Sequence, residues 1–194
     1  MMTSRQSPSV QPATQRGFLL IEILVSLVII AFGLLALAGF VTKATTLAVD
    51  TVQRTRASTL LSDMAGRLIT NKQLAVAGNY VAATQPATGY GTPSANSTVC
   101  PGVGVAAVDL CSWHNLLLGT NDAQTGGNAA ALGYRGCLSR DPVAPIFTIT
   151  VAWGGTTPGE PDTVPNSDCG EGQFGDDAYR RVLRTTVRIP SLAE

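Results

Sequence analysis

Three patterns of apolar and polar positions follow one another along this chain. From Phe18 to Val41, 24 residues run almost without interruption as hydrocarbon, broken only by Glu22 and Ser26. A bilayer core takes about 20 apolar residues as a helix, so this run is long enough to span one. Over residues 42–76 the pattern becomes amphipathic. Proline is absent and Gly66 is the only glycine. Leu60, Leu61, Met64 and Leu68 fall on one helical face, with Arg54, Arg56, Ser62, Asp63 and Arg67 filling much of the other. This predicts one helix from Phe18 to about Gln73, about 80 Å long at 1.5 Å per residue. Its second half is expected to pack on a sheet.

After residue 76 the periods shorten. Residues 77–99 are rich in turn formers and poor in apolar side chains, which predicts a loop around the helix end. Residues 109–118 read as a short amphipathic helix with Trp113, Leu116 and Leu117 on its buried side. Residues 119–131 form another Gly/Asn/Ala loop. Three strands are expected: a short one at 133–138, the β-branched and aromatic run 146–153, and 182–189, which stops at Pro190. A long polar loop, 154–178, separates the last two. The fold class that results is α+β: a long N-terminal helix, membrane-spanning in its first half, on a small antiparallel sheet.

Composition adds a compartment. The chain has 194 residues and a formal net charge of zero, with no Lys/Arg cluster beyond Arg180-Arg181. Nucleic acid therefore has no electrostatic footprint here. The four cysteines, Cys100, Cys111, Cys137 and Cys169, all follow the apolar run, and none has the C-x2-C spacing of a zinc site. An even number in the part that would be translocated reads as two disulfides in an oxidising compartment. Of the three connectivities, Cys100–Cys111 with Cys137–Cys169 closes the loops most locally, and a crossed pairing stays open.

Glu22 is the anomaly in the apolar run. A carboxylate in mid-bilayer costs about 2.5–3.5 kcal/mol on insertion scales, so it calls for a partner. The run is too long for the core of a secretory signal peptide, and no Ala-x-Ala site closes it. The stretch Gly17-Phe18-Leu19-Leu20-Ile21-Glu22 resembles the class III signal of type IV prepilins. That resemblance implies cleavage after Gly17 by a prepilin peptidase, which would remove residues 1–17 as a leader and methylate the new N-terminus at Phe18. It also implies a pilin-like fold, in which 18–41 is the transmembrane and assembly half of the helix. Residues 42–76 would be its amphipathic half and 77–194 a disulfide-stapled globular domain. Glu22 would be the fifth residue of the mature chain, one helical turn from the Phe18 amine, and could pair with that amine on a neighbouring subunit. Major pilins often have proline near the position of Gly39, and this chain departs from that pattern.

Asp109, Trp113, Leu116, the strand ending Val151-Ala152-Trp153, Cys169 and the segment from Arg181 to Thr186 together resemble PilV-type minor pilins. The implied role is pilus assembly at the priming or tip complex. The partners would be other minor pilins, the major pilin, prepilin peptidase and the inner membrane, with the globular domain periplasmic. A minor pseudopilin of a type II secretion system shares the same signal and helix. An exported enzyme or binding protein on a signal anchor is the reading from another class.

Catalytic chemistry has little to stand on. His114 is the only histidine and no G-x-S-x-G elbow appears, so no catalytic residue is assigned and His114 is read as polar surface on a helix. Asp176, Asp177, Glu160, Asp162, Asp168 and Glu171 make an acidic loop without EF-hand spacing, and no metal or cofactor is expected. Gly154-Gly155 lacks the phosphate-loop pattern. Trp113 and Trp153 are read as core.

Overall fold

The computed structural model of the chain describes residues 20–81, 89–92, 100, 103–119, 133–159 and 168–190. Helix α1 runs Leu20–Thr70, 51 residues. A break at Asn71 precedes the short α2, Lys72–Val76. Helix α3 is Val105–Leu118. Strands β1 (Arg135–Arg140), β2 (Ile146–Gly154) and β3 (Arg180–Arg188) follow. They form an antiparallel sheet in the order β1-β2-β3. The fold is thus α+β, with a long apolar N-terminal helix and a small antiparallel sheet, as the hydropathy pattern predicts.

By its contacts the chain divides into two units, Met1–Thr45 and Thr46–Glu194. The division falls inside α1.

Within the second unit, α1 buries Gln53, Ala57, Leu60, Leu61, Met64 and Leu68. The spacing of three, four and one keeps these on a single helical face. The five apolar ones share a core with Leu110, Trp113 and Leu117 of α3 and with Leu138, Phe147, Ile149, Val151 and Trp153 of the sheet. Two donors tie the core to α1 directly. The Trp113 indole N–H donates to the Leu60 carbonyl at 3.0 Å, and the Tyr134 hydroxyl donates to the Gln53 carbonyl at 3.1 Å. At such a depth each bond satisfies a donor that would otherwise cost free energy to bury. The helix α3 approaches β1 at Gly136, where any Cβ would run into the Trp113 ring and Leu117. Only glycine permits that approach.

The strands alternate less than a one-sided sheet would. Phe147, Ile149, Val151 and Trp153 of β2 are buried on one face, but Thr150 and Ala152 are buried on the other. The second face is covered by the segment around Cys169. Its sulfur lies 3.8 Å from the Thr150 carbonyl, and Arg180 donates to the Cys169 carbonyl at 3.1 Å. The β1–β2 hairpin turns through Asp141, whose Oδ1 accepts from the backbone N–H of Val143 and of Ala144, both at 2.8 Å. These two bonds hold the Asp141 carboxyl below the usual carboxylate range.

Element boundaries differ from the sequence expectation by one to four residues, β3 among them, which starts two residues early at Arg180. Helix α1 ends at Thr70, three residues early, because Asn71 leaves helical geometry (φ −105°, ψ 49°). Helix α3 starts at Val105, four residues early, and buries Ala106 and Leu110 as well. Leu116, expected on its buried side, is only half-buried. Strand β1 is shifted two residues towards the C-terminus, ending at Arg140 against Phe147.

Candidate functional site

The first candidate is the apolar start of α1. It holds a window of mean hydropathy 2.8, none of it buried, and is long and apolar enough to cross a membrane. This is compatible with a single-pass membrane anchor. The exposure is general: Leu20, Ile21, Ile23, Leu24, Leu27, Ile29, Phe32, Leu35 and Phe40 all lie open. An unpartnered apolar surface of this extent is far beyond what a soluble monomer carries. Gly33 and Gly39 do not interrupt the helix, and a side chain added at either would meet nothing.

Glu22 sits in the first turn of this helix, exposed. Its backbone carbonyl accepts from Ser26 Oγ at 2.7 Å. No hydrogen bond or ion pair joins its carboxylate to another described residue. Gly17 and Phe18 lie outside the described residues.

The cysteines fall at disulfide distance in the local pairing. Cys100 and Cys111 have Cα atoms 5.2 Å apart, and Cys137 and Cys169 have theirs 5.8 Å apart. The first pair anchors the N-terminal side of α3. The second joins β1 to the segment that covers the outer face of β2.

A polar cluster that the sequence did not reveal centres on Asp109. Arg67 donates to its Oδ1 at 3.0 Å and to Asp63 Oδ2 at 2.8 Å. Asn71 donates to Asp109 Oδ2 at 2.8 Å, and the Tyr80 hydroxyl donates to the same oxygen at 2.5 Å. Burial, then the bond to Asp109, pushes the Tyr80 hydroxyl up to about 12, so it stays a donor. The i, i+4 pair Asp63–Arg67 was readable as helix-surface chemistry. Asp109 lies 42 residues away from Arg67, and no spacing rule reaches it.

His114 corrects the sequence reading. It is fully buried, not a surface residue of its helix. Its Nδ1 accepts from the Gly91 backbone N–H at 3.0 Å, so the imidazole is neutral and acts as an acceptor. Burial, then the nearby positive charge of Arg135, lowers its pKa. The residue fastens the 89–92 loop, whose Tyr90 bridges to Gly136 of β1. Trp113 and Trp153 are buried, as expected.

Two residues of the acidic loop, Asp176 and Asp177, find structural partners. Asp176 Oδ1 caps the Asp177–Tyr179 turn by accepting from Ala178 N–H at 2.9 Å. Asp177 Oδ1 accepts from Gly172 N–H at 3.0 Å and lies 3.5 Å from Arg180. Among the described residues no group of three or more His, Cys, Asp or Glu converges on one point. Glu160 and Asp162 lie outside them.

Among the described residues of the globular unit, two open cavities stand out. One, of about 320 Å³, is lined by Asp50, Arg54, Trp153, Arg180, Arg181, Val182 and Leu183. The other, of about 460 Å³, lies between α2 and the start of α3 and has no charged side chain in its wall. No protein-family model, curated protein or solved structure gives a significant match to this chain.

Proposed function

We propose that this chain is a minor pilin of a type IV pilus, of the PilV type, working in the priming or tip complex. The observation that carries the reading is an exposed apolar helix with one carboxylate, Glu22, placed five residues after Gly17. In a bilayer, lipid covers the apolar side chains. In a fibre, the same side chains of neighbouring subunits would cover one another. The helix thus passes from one apolar surrounding to another without meeting water, and packing supplies the attraction once lipid is left behind.

Glu22 gives this exchange a register. Cleavage after Gly17 would place a cationic amine on Phe18, one turn from Glu22. Intramolecular pairing at that spacing competes with pairing to a neighbour's amine, and the second brings two helices to a fixed offset. Attraction between two charges is strong where water is scarce, and desolvation cancels much of it. The pair therefore selects an offset more than it adds stability. The globular unit would present its surface to other subunits, with the cysteine pairs bracing it in an oxidising compartment.

The test is intact mass and N-terminal sequencing of membrane-extracted protein from cells with and without prepilin peptidase. The expected result is loss of residues 1–17 and a methyl group on Phe18, both dependent on the peptidase. A full-length N-terminus in both strains overturns the reading and leaves a signal-anchored exported domain.

A further inference from the structure

The two edges of the sheet are not alike. The outer edge of β1 is covered where Tyr90 and Gly136 exchange backbone bonds. The Tyr90 N–H donates to the Gly136 carbonyl at 2.8 Å, and the Gly136 N–H donates to the Tyr90 carbonyl at 2.9 Å. The outer edge of β3 has no such cover among the described residues. Just beyond its two ends, the Ile189 N–H donates to the Pro145 carbonyl at 2.9 Å and the Gly155 N–H to the Tyr179 carbonyl at 2.7 Å. Both bonds continue the β2–β3 register, in which Val187 faces Phe147. In an antiparallel pair, residues that bond across alternate with residues whose backbone points away. Arg181, Leu183, Thr185 and Val187 therefore bond to β2, and Arg180, Val182, Arg184, Thr186 and Arg188 point outward. The Arg180 N–H donates to the Asp177 carbonyl. The N–H and C=O groups of Val182, Arg184, Thr186 and Arg188 bond to no described residue.

A row of open donors and acceptors along a strand is a template for another strand. The side chains narrow what that strand can be. Arg184, Thr186 and Arg188 are exposed and, with Val182, share the sheet face of Thr148, Thr150 and Ala152, away from the core. Neither Arg184 nor Arg188 makes a hydrogen bond or ion pair with a described residue. Strand β3 holds four arginines and no acid. Pairing it with β3 of a second copy would gather arginines of both copies on one face, where like charges repel. Acidic side chains at alternate positions of a partner would instead meet Arg184 and Arg188. On the core side, the cavity beside Trp153 lies along the first half of β3, with Arg181 and Leu183 in its wall. It leaves room there for a side chain of an added strand.

We infer that β3 is a docking edge for an extended acidic segment of a partner protein, which would join the sheet as a fourth strand. Main-chain bonds to Val182, Arg184, Thr186 and Arg188 would hold the segment, and its alternate carboxylates would select it. The inference uses the globular unit alone. It needs neither cleavage after Gly17 nor fibre assembly, so a failed processing test leaves it standing, and its own failure leaves the processing test untouched.

The experiment is amide hydrogen exchange, read by NMR on the full chain in detergent micelles, with a synthetic peptide that alternates Glu and Val. One comparison peptide has Lys in place of Glu. Another is the Glu peptide N-methylated throughout, which keeps the charge and loses every ladder donor. The Glu peptide, at about ten times its dissociation constant, should slow exchange at Val182, Arg184, Thr186 and Arg188 about ten-fold. The other two peptides should leave these amides as they are. Thr186→Pro removes one outward N–H, which an edge strand tolerates, and should abolish the protection. Arg184→Gln combined with Arg188→Gln should weaken binding of the Glu peptide about five-fold. A thermal melt checks that each variant is folded. Unchanged exchange at the four amides with the Glu peptide overturns the inference. So does equal binding of its N-methylated form. Protection that grows with protein concentration and needs no peptide makes the occupant a second copy and overturns the acidic segment.

Discussion

The same helix is built two ways. Over its first 26 residues, Leu20 to Thr45, α1 is apolar on every side and buries nothing. From Gln53 to Leu68 it is polar on one side and buries six residues on the other. Propensity is similar in both stretches, since neither has proline and both are rich in Leu and Ala. What differs is the partner each can satisfy. A stripe needs a core, and the strands and α3 supply one. A cylinder that is apolar all round needs an apolar surrounding, and among the described residues none of its side chains is buried. The lesson is that hydrophobicity alone does not report burial. Its distribution around the helix does.

The sharpest way to break this comparison is a pair of truncations. Met64→Ala, at a fully buried position, should destabilise the globular unit by about 2–5 kcal/mol. Leu35→Ala, in the exposed stretch, should change it by less than about 0.5 kcal/mol. Thermal melts in detergent of both variants decide the matter, and equal losses would mean that the two stretches fold as one. A smaller effect comes from the polar clamp. Asp109→Ala leaves Arg67, Asn71 and Tyr80 without their shared acceptor and should cost about 2–3 kcal/mol, read as a lowered denaturation midpoint. An unchanged midpoint would show that the apolar stripe alone holds α3 on α1.

The smallest effect is one of pH. Burial, then the positive charge of Arg135, holds the folded-state pKa of His114 below the ordinary imidazole value of 6.5. Its contribution to stability is therefore complete above 6.5 and is lost as pH falls towards the folded value. Since His114 is the only histidine, the loss between pH 6.5 and 5 should flatten in His114→Gln when midpoints are compared across that range. A slope that survives the substitution would assign it to carboxylates instead.

The two regions also differ in how far the sequence could be read. The apolar run, the buried face Leu60, Leu61, Met64 and Leu68, and the strand from Ile146 onward were legible because period and composition are local. The local cysteine pairing agrees with the simplest closure. The end of α1 was misplaced because nothing near Gln73 forbids helix, and Asn71 breaks it in company with Tyr80 and Asp109. His114 was misjudged for a related reason. Its polarity suggests surface, while its burial depends on one backbone N–H of Gly91, 23 residues away.

By itself, the sequence determined that this chain has a bilayer-length apolar helix with an acid near its start, then an amphipathic helix, then strands stapled by cysteine. Those features rest on interactions between residues a few positions apart. Only the tertiary structure decided which polar groups are buried and who satisfies them. It also decided that glycine at 136 lets α3 reach the sheet, and that Arg67, Asn71 and Tyr80 converge on Asp109. Contacts of that kind join residues dozens of positions apart, and no local period encodes them.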